Sequence, residues 1–179
     1  MRGELTLRSP RAEDAARIWA ELPAVGTLER NTPYAYLLLC THFAATGVVA
    51  ELDAELAGFV FAYRPPVEPE ALFVWQVGVT PAARGAGVGG RMLDSLLDRP
   101  GCRDVGWLIA TVSPDNDASR ALFRGFARRH DATTRSIRAF DASLFPEPHP
   151  PEDLLRIGPL VRAGTSPRPG ARMKDEERA

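Results

Sequence analysis

The stretch that most constrains the fold runs from Leu72 to Leu97. LFVWQVGV (72–79) is a continuous apolar run of strand length. Such a run fits a central strand buried on both faces. Thr80-Pro81-Ala82-Ala83-Arg84-Gly85-Ala86-Gly87-Val88-Gly89-Gly90 follows. Behind it a helical pattern turns Val88, Met92, Leu93, Leu96 and Leu97 inward. Glycines between a strand and a helix let the backbone approach a ligand, and the N–H groups at the helix start suit phosphate oxygens. Arg84 adds a charged donor. A Walker A loop needs Gly-Lys-Ser/Thr before its helix, and here Gly90-Arg91-Met92 stands in that place. Gly85, Gly87 and Gly90 satisfy GxGxxG. That fingerprint usually opens the first βαβ unit of its fold, whereas several strands precede it here.

The rest of the chain surrounds this unit. ELTLR (4–8) alternates and reads as an edge strand. Ser9-Pro10 and Thr32-Pro33 are helix-start signals, an N-cap residue followed by proline. The first precedes Ala12, Ala15, Ala16, Ile18, Trp19 and Leu22 at helical spacing, and the second precedes the apolar YAYLLLCTHF. Residues 46–52 and 56–63 read as strands joined by a turn, and RPPVEPE (64–70) as a connection. Residues 105–112 read as a strand, 116–129 as a helix, 133–140 as a strand, and FDASLFPEPHPPEDLLRIGPL as a mixed segment. This order predicts one mixed α/β (α+β) domain over 1–162. Residues 163–179 have no aromatic or branched apolar residue and are expected to be a disordered tail.

Composition removes several function classes. The net charge is −1, which argues against broad phosphate neutralisation on a nucleic acid. No apolar run approaches the ~18 residues of a membrane span. The start, MRGELTLRSP, has no apolar stretch behind its arginine, so no secretory signal is expected. Cys40 and Cys102 suggest neither a disulfide framework nor a metal cage, and no metal is expected.

Val79-Thr80-Pro81-Ala82-Ala83-Arg84-Gly85-Ala86-Gly87-Val88-Gly89 resembles the acyl-CoA loop of the GNAT acetyltransferases throughout. The element order resembles that family's fold as well. The resemblance implies a mostly antiparallel central sheet, flanked by helices and splayed at the strand that binds CoA. It implies acetyl-CoA as co-substrate, with its pantetheine arm along Val77 and Val79. The pyrophosphate would lie on Arg84, Gly85, Ala86, Gly87, Val88, Gly89 and Gly90. Pro114-Asp115-Asn116 resembles the segment whose asparagine contacts the CoA arm. Seven residues on, many members carry a tyrosine acid, but this chain has Phe123. Arg120, Arg124 and Arg128 share one helix face. They form either a solvated face or an attractor for the nucleotide end of CoA.

A narrower resemblance is to the L-2,4-diaminobutyric acid acetyltransferases of ectoine biosynthesis. TLERNTPYAYLL (27–38), VVAE (48–51), GFV (58–60), YRPP (63–66), LFVWQV (72–77), PDN (114–116), LFR (122–124) and EDLLRIGP (152–159) carry it. It implies acetyl transfer to the 4-amino group of L-2,4-diaminobutyrate, in the cytoplasm and by a homodimer. Nucleic acid and membrane are not expected as partners. Glu29, where the family usually has aspartate, is the candidate for holding the acceptor ammonium. Its alternative is a solvated loop acid. Tyr34 and Trp75 are candidate pocket walls, with plain core as the alternative for Trp75. His149 is a candidate for the acceptor site or proton exit, or a loop histidine among prolines. The Val77 N–H is the implied oxyanion donor. Ile109-Ala110-Thr111 stands where the family usually has Glu-Thr-Thr. Two other readings stay open: a GNAT enzyme for another small amine, and an acyl-CoA-binding module without catalysis.

Overall fold

The computed structural model describes residues 3–26, 28 and 30–161. The alternating start forms β1 (Leu5–Arg8), at one edge of the sheet. The first helix begins later than Ser9-Pro10 signals: α1 spans Asp14–Val25, and Ala12 and Ala16 are exposed. A buried carboxylate sets that start. Asp14 accepts the Arg11 N–H at 2.8 Å and two Arg8 guanidinium bonds at 2.7 Å each. Burial alone would raise the Asp14 carboxyl, but Arg8 and the Arg11 N–H hold it below the usual carboxylate range. The second start signal holds. α2 (Pro33–Thr41) is capped by the Thr32 hydroxyl, which accepts from the Ala35 N–H.

β2 (Gly47–Leu52) and β3 (Glu55–Tyr63) form a hairpin around Asp53-Ala54. Both turn residues have positive φ, 50° and 68°, the backbone of a tight hairpin turn. β4 (Ala71–Val79), α3 (Val88–Leu97), β5 (Trp107–Val112), α4 (Asp117–Arg129), β6 (Thr133–Phe140) and β7 (Glu152–Gly158) follow. The sheet order is β1-β2-β3-β4-β5-β7-β6. Among its pairings only β4–β5 is parallel. The mixed, mostly antiparallel sheet expected from the sequence is therefore observed. EDLLRIG, read there only as mixed, is a seventh strand inserted between β5 and β6. The tail expected at 163–179 lies outside the described residues.

Two apolar layers hold the sheet. Met92, Leu93 and Leu96 of α3 and Phe126 of α4 pack on Leu72, Val74 and Leu108. Ile18 and Leu22 of α1 and Tyr36 of α2 pack on Phe59 and Phe61 on the other face. Fully burying side chains of this size stabilises by roughly 1.5–3 kcal/mol each.

The expectation that 72–79 is buried on both faces fails over its second half: Trp75 is 44% exposed. Two features of register cause this. β4 pairs with β5 only from Ala71 to Phe73, against Trp107 to Ile109. Against β3, Phe61 faces Gln76 while Ala62 faces Val74, which leaves Trp75 as the extra residue of a β-bulge. Beyond Phe73 the two central strands part.

Candidate active site

The parting opens a cavity of about 400 Å³. Residues 74–77 of β4 and 110–113 of the β5 end form its two sides, and Asn116, Ser119 and Phe123 of α4 its floor. Leu28 and Asn31, between α1 and α2, line it as well, together with His149 from the β6–β7 connection and Glu152 at the start of β7. Thr80 donates its N–H to Ala57 O on β3. Successive strand residues point their N–H groups to opposite sides, so those of Val79 and Val77 point into the slot. Asn116 reaches the slot from the start of α4, where its side chain accepts from the Ser119 N–H at 3.0 Å.

The glycine loop lies at the end of β4. Gly85 and Gly87 have φ of +76° and +73°, and a Cβ at either would meet nothing within 4 Å. Packing therefore does not demand glycine there, whereas the backbone does. Gly87 is the N-cap of α3 and supplies no side chain to cap it. The first N–H groups of α3, at Val88, Gly89 and Gly90, form a cradle with partial positive charge. Gly89 and Gly90 serve packing instead, since a Cβ would stand 3.3 Å from Leu122 and 3.0 Å from Arg129. Arg84 follows the helix-like turn at 81–83. Its Nη2 donates to Ala24 O and Val25 O, at 3.1 and 2.9 Å, and ties the loop to the end of α1.

At the acceptor end the structure brings Trp75, Val77 and His149 to the cavity. Tyr34 lies at the start of α2, 66% exposed, and is not part of the lining. Glu29 lies outside the described residues. His149 stacks on Phe145, ring centroids 3.9 Å apart, and its Nδ1 is in hydrogen-bond contact with Pro150 O. Sequence reasoning missed Glu152, which opens β7 and lines the cavity. Its signal was the EDLLRIGP stretch, but its direction depends on the β6–β7 connection. Among the described lining residues Glu152 carries the one carboxylate and His149 the one imidazole, and none is an arginine or lysine. Phe123 is buried on the floor. Arg120 pairs with Asp153, while Arg124 and Arg128 line a separate groove on α4. Burial pushes the Cys40 thiol up to about 12, and neither cysteine lines the cavity.

A strand edge bearing free N–H groups, a glycine cradle at its end and an acidic chamber beside it suit one class of protein. These are transferases that align an acyl thioester of CoA with a nucleophile. The family model for the acetyltransferase (GNAT) family matches residues 14–126. A curated L-2,4-diaminobutyric acid acetyltransferase of Nocardia farcinica is 46% identical over 160 residues, covering 89% of this chain and 83% of its relative. One from Bordetella parapertussis is 46% identical over 157 residues, covering 87% and 84%. Among solved structures, diaminobutyrate acetyltransferase EctA from Paenibacillus lautus superposes with a TM-score of 0.85 at 37% identity. The match covers 90% of this chain and 98% of that one, which was solved with its substrate L-2,4-diaminobutyric acid and coenzyme A. The chain belongs to the GNAT acetyltransferases and, within them, to the L-2,4-diaminobutyric acid acetyltransferases.

Proposed function

We propose that this chain transfers the acetyl group of acetyl-CoA to the 4-amino group of L-2,4-diaminobutyrate, a step of ectoine biosynthesis. The observation that carries the reading is the chamber at the end of the slot. Its described lining has one carboxylate, one imidazole and no lysine or arginine, groups that can accept a hydrogen bond from an ammonium. The slot and glycine cradle account for the thioester substrate, with Val77, Val79, Asn116 and residues 85–90 holding its arm and pyrophosphate.

Chemistry follows from those placements. An amine of pKa near 10 must lose a proton before it attacks, which costs about 4 kcal/mol at pH 7. Glu152 holds the ammonium, and Glu29 shares that role from the α1–α2 connection. His149 takes the proton toward solvent. The free amine attacks the thioester carbonyl, and a C–N bond forms. The Val77 N–H donates to the developing oxyanion, an interaction of about 3 kcal/mol for one such donor. The nitrogen, cationic after addition, gives up its second proton by the same His149 route, the C–S bond breaks, and the neutral amide forms as CoA departs as thiolate. Phe123 has no proton to give it, and a thiol of pKa about 8.5 leaves without one.

The reading includes one domain over 1–162 and a homodimer in the cytoplasm. The dimer is supported by α2, which is apolar all round yet turns Tyr34 and Leu37 outward; a helix apolar on every side is normally covered. Ala110 lines the cavity where the family usually has a threonine, which makes room and favours a second reading, a related amino acid with a longer side chain. Release of CoA thiol tests both. The acceptors are L-2,4-diaminobutyrate, its D-isomer, ornithine, lysine and putrescine. Preference for L-2,4-diaminobutyrate supports the first reading, and preference for ornithine or lysine the second. Tight CoA binding without turnover would mean a binding module.

A further inference from the structure

We infer that Arg120 is a positioning residue that props the slot between β4 and β5 open, with Asp153 as its anchor. The inference rests on the reading of that slot as the acetyl-CoA site. Two strands that begin as a parallel pair and then part leave two edges facing each other. Unpaired edges tend to pair, and each hydrogen bond so made is favourable by roughly 1 kcal/mol. On the β4 side the bulge at Trp75 opposes closure. On the β5 side the restraint comes from α4.

Arg120 Nε donates to Ser113 O at 3.2 Å, and its Nη2 lies 3.4 Å from Val112 O. The same Nη2 donates to Asp153 Oδ2 at 2.7 Å. Asp153 belongs to β7, the neighbour of β5 on the side away from β4. Arg138 Nε holds its other oxygen at 3.1 Å. One guanidinium thus ties the end of β5 to the start of β7, and the direction of that tie is away from β4. Val112 and Ser113 line the slot, and Glu152 stands next to Asp153 on the chamber wall. Arg120 is not part of the lining and its side chain is four-fifths buried. It therefore acts on the walls and touches no substrate. Three acceptors around one planar fork suit arginine and not the point charge of lysine.

A prop changes the fraction of molecules that can bind, so its loss divides the apparent dissociation constant by that fraction and leaves the bound enzyme intact. Arg120→Met, Arg120→Lys and Asp153→Asn test it by steady-state kinetics and by amide hydrogen exchange of the free protein. The expected result is an acetyl-CoA KM about tenfold higher in Arg120→Met, corresponding to one molecule in ten with an open slot, with kcat within about twofold. Arg120→Lys and Asp153→Asn fall between, and carry the test if Arg120→Met does not fold. Those amides of 110–113 that face β4 exchange more slowly in the variants, because the closed edges protect them. An unchanged KM, a kcat loss at constant KM, or faster exchange at 110–113 overturns the prop. The exchange readout needs no activity. It decides on the prop even if the wild-type protein neither binds CoA nor turns over, the outcome that would sink the site reading instead.

Discussion

Replacing Gly87 by alanine separates what the loop needs for folding from what it needs for its ligand. Gly87 sits at φ +73° and ψ 12°, and an added Cβ meets nothing within 4 Å. Crowding therefore adds nothing to the cost. The left-handed backbone does, by about 1–2 kcal/mol for a residue with a Cβ. In a domain of this size that lowers Tm by roughly 2–8 °C. The new methyl group points into open space beside the first N–H groups of α3, where the proposed function puts the pyrophosphate. Losing one charge-assisted hydrogen bond there, about 1.5–3 kcal/mol, raises the acetyl-CoA KM some 10- to 100-fold. The amine KM stays within about twofold, because Gly87 does not line the chamber. Gly106→Ala is the control, since a Cβ there also meets nothing and its φ is not positive. Thermal melts and initial rates against each substrate read the outcome. Equal acetyl-CoA KM in the two variants, with the Tm loss confined to Gly87→Ala, would refute the placement of the pyrophosphate on this loop.

Three further outcomes are expected. Glu152→Gln keeps the shape but removes the charge; it lowers kcat/KM for the amine roughly 10- to 100-fold and leaves the acetyl-CoA KM unchanged, and an unaltered kcat/KM would exclude Glu152 as the ammonium's holder. The Asp14 and Glu51 carboxyls are both held low in the folded chain with Arg8 as partner. The stability they contribute is present above the unfolded carboxylate pKa of about 4 and is lost as pH falls through their lower folded values. The gap in denaturation midpoint between wild type and Arg8→Met therefore shrinks as pH falls below about 4, and a constant gap across that window contradicts it. With its thiol raised to about 12 by burial, Cys40 resists iodoacetamide in the native protein at a pH where the unfolded chain labels fully; rapid native labelling, read by mass spectrometry, contradicts that burial.

The glycine loop, the α2 cap and the inward face of α3 were legible in the sequence because each depends on local rules: φ, capping and a 3.6-residue period. The bulge at Trp75 was not. LFVWQVGV reads as an unbroken strand, and its break appears only in register with β3. The late start of α1 depends on Arg8, which reaches Asp14 from β1 and so outweighs a sound Ser9-Pro10 signal. β7 escaped notice because a strand inserted between β5 and β6 owes its place to long-range pairing. Glu152 escaped with it. The charge of Arg84 and Arg120 alone did not show that Arg84 Nη2 meets the Ala24 and Val25 carbonyls or that Arg120 meets Val112 O, Ser113 O and Asp153. Where a guanidinium points is decided by neighbours far away in the chain.

The central claim is that this chain places one amine of its acceptor, the 4-amino group, against the thioester. The direct measurement is proton–carbon NMR of the product made from L-2,4-diaminobutyrate and acetyl-CoA labelled at the carbonyl carbon. A correlation from that carbon to the C4 methylene protons is the predicted result. A correlation to the C2 proton would contradict it, as would label found only in free acetate.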